Sequence, residues 1–163
     1  MSNFFDLIFF SWTGNTKEVF EIIRDELLRE GYMVNFKEIR PVRDYPYVIW
    51  LLMSFIPGFK VRIMPVEINS KEIFLGMPKW TFNCPPVTSF LDSAELSGRK
   101  VYLVISYGGF DEKRYAEGIK KKIEGKGGEV VGTLMLKRKE IQDKQECRKK
   151  VMDWLDEIFG FMD

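Results

Sequence analysis

Hydrophobic residues along this chain follow two rhythms that alternate. Short apolar runs fill 4–10, 32–39, 72–76, 100–106 and 129–136. Each is of strand length and rich in β-branched or aromatic residues, so five strands are expected. Between them the apolar positions spread to helical spacing. Val19, Phe20, Ile23 and Leu27 share one face of 17–30, while Lys17, Glu21, Arg24 and Glu30 lie elsewhere and Gly31 closes the helix. Pro85 and Pro86 open a second helix through Val87, Phe90 and Leu91. Tyr115, Ile119 and Ile123 mark a third that Gly125 ends, and Val151, Trp154, Leu155 and Ile158 mark a last.

Strand and helix in alternation predict an α/β fold, a doubly wound five-stranded parallel sheet with helices on both faces. The order 2-1-3-4-5 suits five strands. In such sheets ligands bind outside the carboxyl ends of the strands, where the order switches between strand one and strand three. One stretch does not fit. Residues 45–64 hold an almost wholly apolar run, 48–56, ahead of Pro57-Gly58, which predicts a hydrophobic helical insertion between strands two and three. A bilayer span needs about 20 apolar residues, so no transmembrane segment is expected. The default for such a helix is to cover a sheet edge or pack on the core. A subunit interface giving a homodimer, a membrane-surface contact or a lid over a ligand are the alternatives, with Trp50, Phe55 and Phe59 as the contact residues.

The 163 residues predict one domain over 1–163, with a core that needs neither metal nor disulfide. Cys84 and Cys147 lie far apart, no basic-then-apolar leader precedes the first strand, and Asp6 interrupts that strand, so the expectation is a reduced, cytoplasmic protein. Lys and Arg number 25 against 24 acidic residues. That balance gives no electrostatic case for nucleic-acid binding. There is no histidine, which removes the commonest proton-transfer side chain near neutral pH, hydrolytic triads and His-based metal sites. The cysteines and carboxylates show no ligand spacing, so no metal centre is expected. No catalytic side chain is assigned.

The candidate chemistry lies in loops. Ser11-Trp12-Thr13-Gly14-Asn15-Thr16 joins the first strand to the first helix. A turn at Gly14 would converge backbone N–H groups on an anion, the helix dipole would add to them, and three hydroxyls and a carboxamide supply further donors. The loop has no Lys or Arg, so the expected grip is by hydrogen bonds without ion pairs. The triphosphate loop with Gly-Lys-Ser/Thr and the dinucleotide Gly-x-Gly-x-x-Gly are both absent. The competing reading is a plain turn in which Asn15 caps the helix and Glu18 closes a capping box.

The hexapeptide resembles the phosphate loop of the flavodoxins, Ser/Thr-x-Thr-Gly-x-Thr, and Gly76-x-Pro78-x-Trp80 is similar to the Gly-Thr-Pro-x-Trp string of that family, with Met77 in place of Thr. The chain is identified on these residues as a short-chain flavodoxin-like protein. The resemblance implies an FMN cofactor, with its phosphate at Ser11–Thr16. It implies a ring bound by the second loop, Pro78, Lys79, Trp80, Thr81, Phe82 and Asn83, and by a third, Ser106, Tyr107, Gly108, Gly109 and Phe110. Trp80 and Tyr107 would stack on it, and the third loop's amides would meet its pyrimidine edge. The residues 77–83 contain no Gly, which argues against the backbone rotation that stabilises one-electron-reduced flavin in that family. The near-neutral charge also departs from its acidic carriers. The implied function is an FMN-binding carrier of electrons between redox partner proteins. An FMN-dependent NAD(P)H:acceptor oxidoreductase using a small-molecule electron acceptor such as quinone, and a flavin-free interaction module, stay open.

Overall fold

The computed structural model describes residues 3–161. Strands β1 (Phe4–Phe9), β2 (Met33–Glu38), β3 (Glu72–Pro78), β4 (Lys100–Tyr107) and β5 (Glu129–Lys137) form one sheet. All pairings are parallel and the order is β2-β1-β3-β4-β5, as the alternation predicts. Helices α1 (Asn15–Arg29), α2 (Tyr47–Ser54), α3 (Pro85–Ser93), α4 (Glu112–Gly125), α5 (Arg138–Gln142) and α6 (Lys144–Phe159) complete the described residues.

Side chains alternate along β1 and so build two cores. Phe5, Leu7 and Phe9 pack with Val19, Phe20, Ile23 and Leu27 of α1 and with Val151, Trp154 and Leu155 of α6. Ile8 and Phe10 join Val87, Phe90 and Leu91 of α3 and Ile119 and Ile123 of α4 on the opposite face. Gly76 of β3 is where α1 comes closest, because a Cβ there would lie 2.1 Å from the Phe20 ring. Its missing side chain lets the helix close on the sheet just below the loop that precedes it. Cys84 and Cys147 are both buried and unpaired. Burial pushes the Cys84 thiol well up, against a smaller opposing hydrogen bond from the Val87 backbone, and burial with the Glu18 charge raises that of Cys147 to about 11.

Asp6, the polar break in the first strand, is fully buried. It pins the chain that enters β3. Its carboxylate accepts the backbone N–H groups of Ser70 at 2.8 Å and Asn69 at 2.5 Å and the Asn35 carboxamide at 3.1 Å, with the Lys37 ammonium at 3.3 Å. Burial alone would raise its pKa, but the two amides, the carboxamide and the ammonium together hold it below the usual carboxylate range.

Several boundaries differ from expectation. α1 starts at Asn15 and not Lys17, and β3 runs on to Pro78 because Met77 and Pro78 pair with Ile105 and Ser106. α5 was not predicted, since with one buried apolar residue, Ile141, it has no periodicity to read. Glu140 Oε1 accepts the Lys137 N–H at 3.1 Å to start it, and Asp143 Oδ1 accepts the Glu146 N–H at 3.2 Å to start α6. The predicted insertion is helical only over α2. Pro57 and Gly58, with φ 74°, stop it, and the chain returns through an antiparallel bridge between Pro41 and Ile63. The helix lies over loops that follow β1 and β3 and not on a sheet edge. No helix among the described residues is long and apolar enough to cross a membrane.

Candidate functional site

The turn from β1 into α1 is made by Gly14, at φ 92° and ψ −8°, a left-handed conformation that glycine adopts without strain. Gly14 is the N-cap and offers no side chain to the helix. Ser11 Oγ accepts the Lys17 N–H at 3.2 Å instead, and the Gly14 carbonyl accepts the Glu18 N–H at 2.9 Å. The alternative in which Asn15 caps the helix is therefore not what forms. The amides of Asn15 and Thr16 begin the helix with no partner inside it and carry the positive end of its dipole.

Loops after β1, β3 and β4 line one cleft of about 470 Å³. The first contributes Trp12, Thr13, Asn15 and Thr16, the second Pro78, Lys79, Trp80 and Thr81, and the third Ser106, Tyr107, Gly108, Gly109 and Phe110. They are bonded to one another. The Thr16 and Ser106 hydroxyls are 3.0 Å apart in a buried contact, and the Lys79 N–H donates to the Ser106 carbonyl at 2.6 Å. Gly109 takes φ 121°, whereas Gly108 does not have positive φ. Burial, then the Glu112 charge, raises the Tyr107 pKa, so its phenol is neutral. Phe110 is largely exposed with the Lys79 ammonium 5.4 Å from its ring centre. Asp111, at φ 54°, occupies the N-cap of α4 without a side-chain cap bond.

Four of the residues named from sequence lie outside the cleft lining. Ser11 and Gly14 shape the turn. Phe82 is exposed and faces the Phe55 ring at 6.1 Å. Asn83 is buried, donating to the carbonyls of Ile56 at 3.1 Å and Phe59 at 2.8 Å and accepting the Thr88 hydroxyl. With the Phe82 N–H on the Ser54 carbonyl at 3.0 Å, these bonds fasten the insertion to the second loop.

The cleft also has a roof, the lid that stood among the alternatives for the insertion, with Trp50 as one of its contact residues. α2 supplies Tyr47, Trp50, Leu51 and Ser54. Trp50 is 1% exposed and meets Trp12 at 6.0 Å, Trp80 at 5.8 Å and Tyr45 at 5.3 Å, while Trp80 stands edge-on to Phe10 at 5.5 Å. The Trp50 Nε1 is buried with no hydrogen-bond acceptor among the described residues. Phe55 and Phe59, expected to make contacts beside it, are 51% and 39% exposed. Arg138, first residue of α5, completes the lining and adds a guanidinium to a site expected to hold its anion without cations. Its place just beyond the carboxyl end of β5 was the available signal, since that is where this topology gathers its loops.

A parallel sheet of this order with three loops meeting at its switch point defines a flavodoxin-like α/β protein. Solved structures agree on the fold. Among them are a protein inferred to be a flavoprotein from Bacteroides uniformis, with TM-score 0.74, 15% identity and coverage of 96% of this chain and 99% of that one. A flavoprotein in complex with FMN from Lactobacillus acidophilus gives 0.64 at 18% identity, over 80% of this chain and 91% of that one. Two-electron-reduced Megasphaera elsdenii flavodoxin gives 0.59 at 22% identity, over 90% and 95%. No protein-family model matches the chain. An uncharacterized protein of Archaeoglobus fulgidus is 42% identical over 151 residues, covering 92% of this chain and 97% of its own length. The chain belongs to one family with that protein.

Proposed function

We propose that the cleft binds FMN and that the protein carries electrons between redox partners. The observation behind this reading is the convergence of the three loops on one cleft, with an open helix N-terminus among its walls and the Trp80 and Tyr107 rings among the others. The residues fit the group. The amides of Asn15 and Thr16 and the hydroxyls of Thr13 and Thr16 suit a dianionic phosphate, and Arg138 adds a charge that the loop lacks. Trp80 and Tyr107 offer aromatic faces, each worth on the order of 0.5 to 1.5 kcal/mol beyond buried area. Trp50 Nε1, an orphaned donor, suits an acceptor on the ring, and α2 keeps water off that side. Ser11, Phe82 and Asn83 leave the contact set, for they are spent on the fold or turned outward. Bound FMN supplies reversible one- and two-electron transfer.

The absorption spectrum of the purified protein, followed by titration with FMN, tests the reading. Three of the four tryptophans line the cleft, so saturable quenching of their emission is expected. Absence of flavin colour together with no quenching would defeat the proposal. Asn15→Asp should weaken FMN roughly tenfold or more, about the worth of a charge-assisted bond, and leave riboflavin nearly unchanged. A second reading, oxidation of a reduced nicotinamide, draws on Lys79 and Arg138, whose charges line the cleft and suit a phosphate-bearing co-substrate. Rapid steady-state turnover of NADH or NADPH with quinone would favour it over a carrier.

A further inference from the structure

From Tyr45 to Phe59 the chain carries no charged side chain. The outward positions around α2, Tyr47, Val48, Leu52, Phe55 and Ile56, are each about half exposed or more, and Phe82 extends the patch from Phe55. Isolated apolar side chains at a surface are ordinary, but a helix apolar on its whole outer side is not. Its flanks are basic, with Arg40, Arg43, Lys60 and Arg62 against the lone acidic residue Asp44 within 40–64. Glu38 engages Arg40 at 3.0 Å and Asp92 engages Lys60 at 3.0 Å. Among the described residues Arg43 and Arg62 have no carboxylate partner. The bridge between Pro41 and Ile63, with the Val42 N–H on the Arg62 carbonyl at 2.9 Å, brings them together. They line a second, smaller cleft of about 210 Å³ with Tyr45.

We propose that this face docks on an anionic lipid surface, with the outer side of α2 in the headgroup and acyl boundary and Arg43 and Arg62 on headgroup phosphates. Charge decides for lipid over a protein partner, because the unpaired charge beside the patch is positive and guanidinium groups match phosphate in bidentate geometry. An eight-residue helix can lie in that boundary but cannot span it. Aromatic side chains at Tyr45, Tyr47, Phe55 and Phe59 suit the same depth. The inner side of α2 roofs the main cleft through Trp50 and Leu51, so the docked helix would lie between that cleft and the bilayer. The inference does not depend on what the cleft binds.

The full-length protein should co-sediment with vesicles of phosphatidylglycerol and phosphatidylcholine, far less with phosphatidylcholine alone, and progressively less as salt is added. Arg43→Ala with Arg62→Ala should lower the partition coefficient roughly 30-fold, since each cation near such a surface is worth about a factor of five. Leu52→Glu with Phe55→Glu should abolish binding. All four positions are exposed, so circular dichroism should match the parent. Failure to bind either vesicle would overturn the proposal, whether the protein is then a dimer covering this face, by analytical ultracentrifugation, or a monomer whose face serves another protein. Equal binding to both vesicle types, unaffected by the arginine substitutions, would overturn it too.

Discussion

At the scale of single residues, Gly76 and Asp6 do most to fix how the sheet meets its surroundings. Gly76 is required by proximity, because any side chain at that position enters the Phe20 ring. Gly76→Ala should therefore destabilise the fold by about 1 to 3 kcal/mol, the usual cost of overpacking, seen as a lower urea midpoint. Phe20→Leu in the same background should recover part of the loss. Asp6 is held ionised by the Ser70 and Asn69 amides, Asn35 and Lys37. Its folded pKa lies below the unfolded value of about 3.9. The stability it contributes is thus complete above that unfolded value and is lost as pH falls through the lower folded one. Asp6→Asn should cost about 3 kcal/mol near neutral pH, as for one member of a buried pair removed, and urea melts of mutant and parent should converge in acid. Pattern alone marked Asp6 as an interruption. Its partners lie on β2 and on the segment before β3, so its role could not be read locally.

Between elements, the site is held by bonds that cross from loop to loop. The Thr16 and Ser106 hydroxyls join the turn after β1 to the end of β4. A double-mutant cycle with Thr16→Val and Ser106→Ala should give a coupling energy of about 1 kcal/mol in unfolding experiments. The same cycle read by FMN titration would show whether the two loops act together in the proposed site. Asn83 performs a similar task for the insertion, as its carboxamide satisfies the chain just after α2. Asn83→Ala should cost about 1 to 3 kcal/mol and raise amide hydrogen exchange in 47–59 above the rest of the chain. Sequence placed Asn83 among ring contacts because it belongs to the second loop. Its side chain instead faces carbonyls that only the folded insertion presents.

For the molecule as a whole, the elements legible in advance were those whose periodicity is repeated over several turns or alternates along a strand. The five strands and α1, α3, α4 and α6 follow from that rule, whereas the strand order was expected from the likeness to the flavodoxin-like fold. α5 escaped because five residues with a single buried side chain have no period, whereas the helix of the insertion, Tyr47–Ser54, falls close to the apolar run 48–56 that Pro57 and Gly58 bound in the sequence. The three loops could be named from sequence because each follows a strand. Trp50 was named only under the alternative that made the insertion a lid, since it reaches the cleft from an element outside the alternation, and Arg138 was not named, since it comes from a turn with no motif. The cysteines, finally, leave the surface free of an accessible thiol. With Cys84 and Cys147 both buried and protonated at neutral pH, a cysteine introduced at Phe55 would be the sole fast-reacting handle. A polarity-sensitive dye attached there through maleimide chemistry would report the surroundings of α2 without any need to strip the native thiols first.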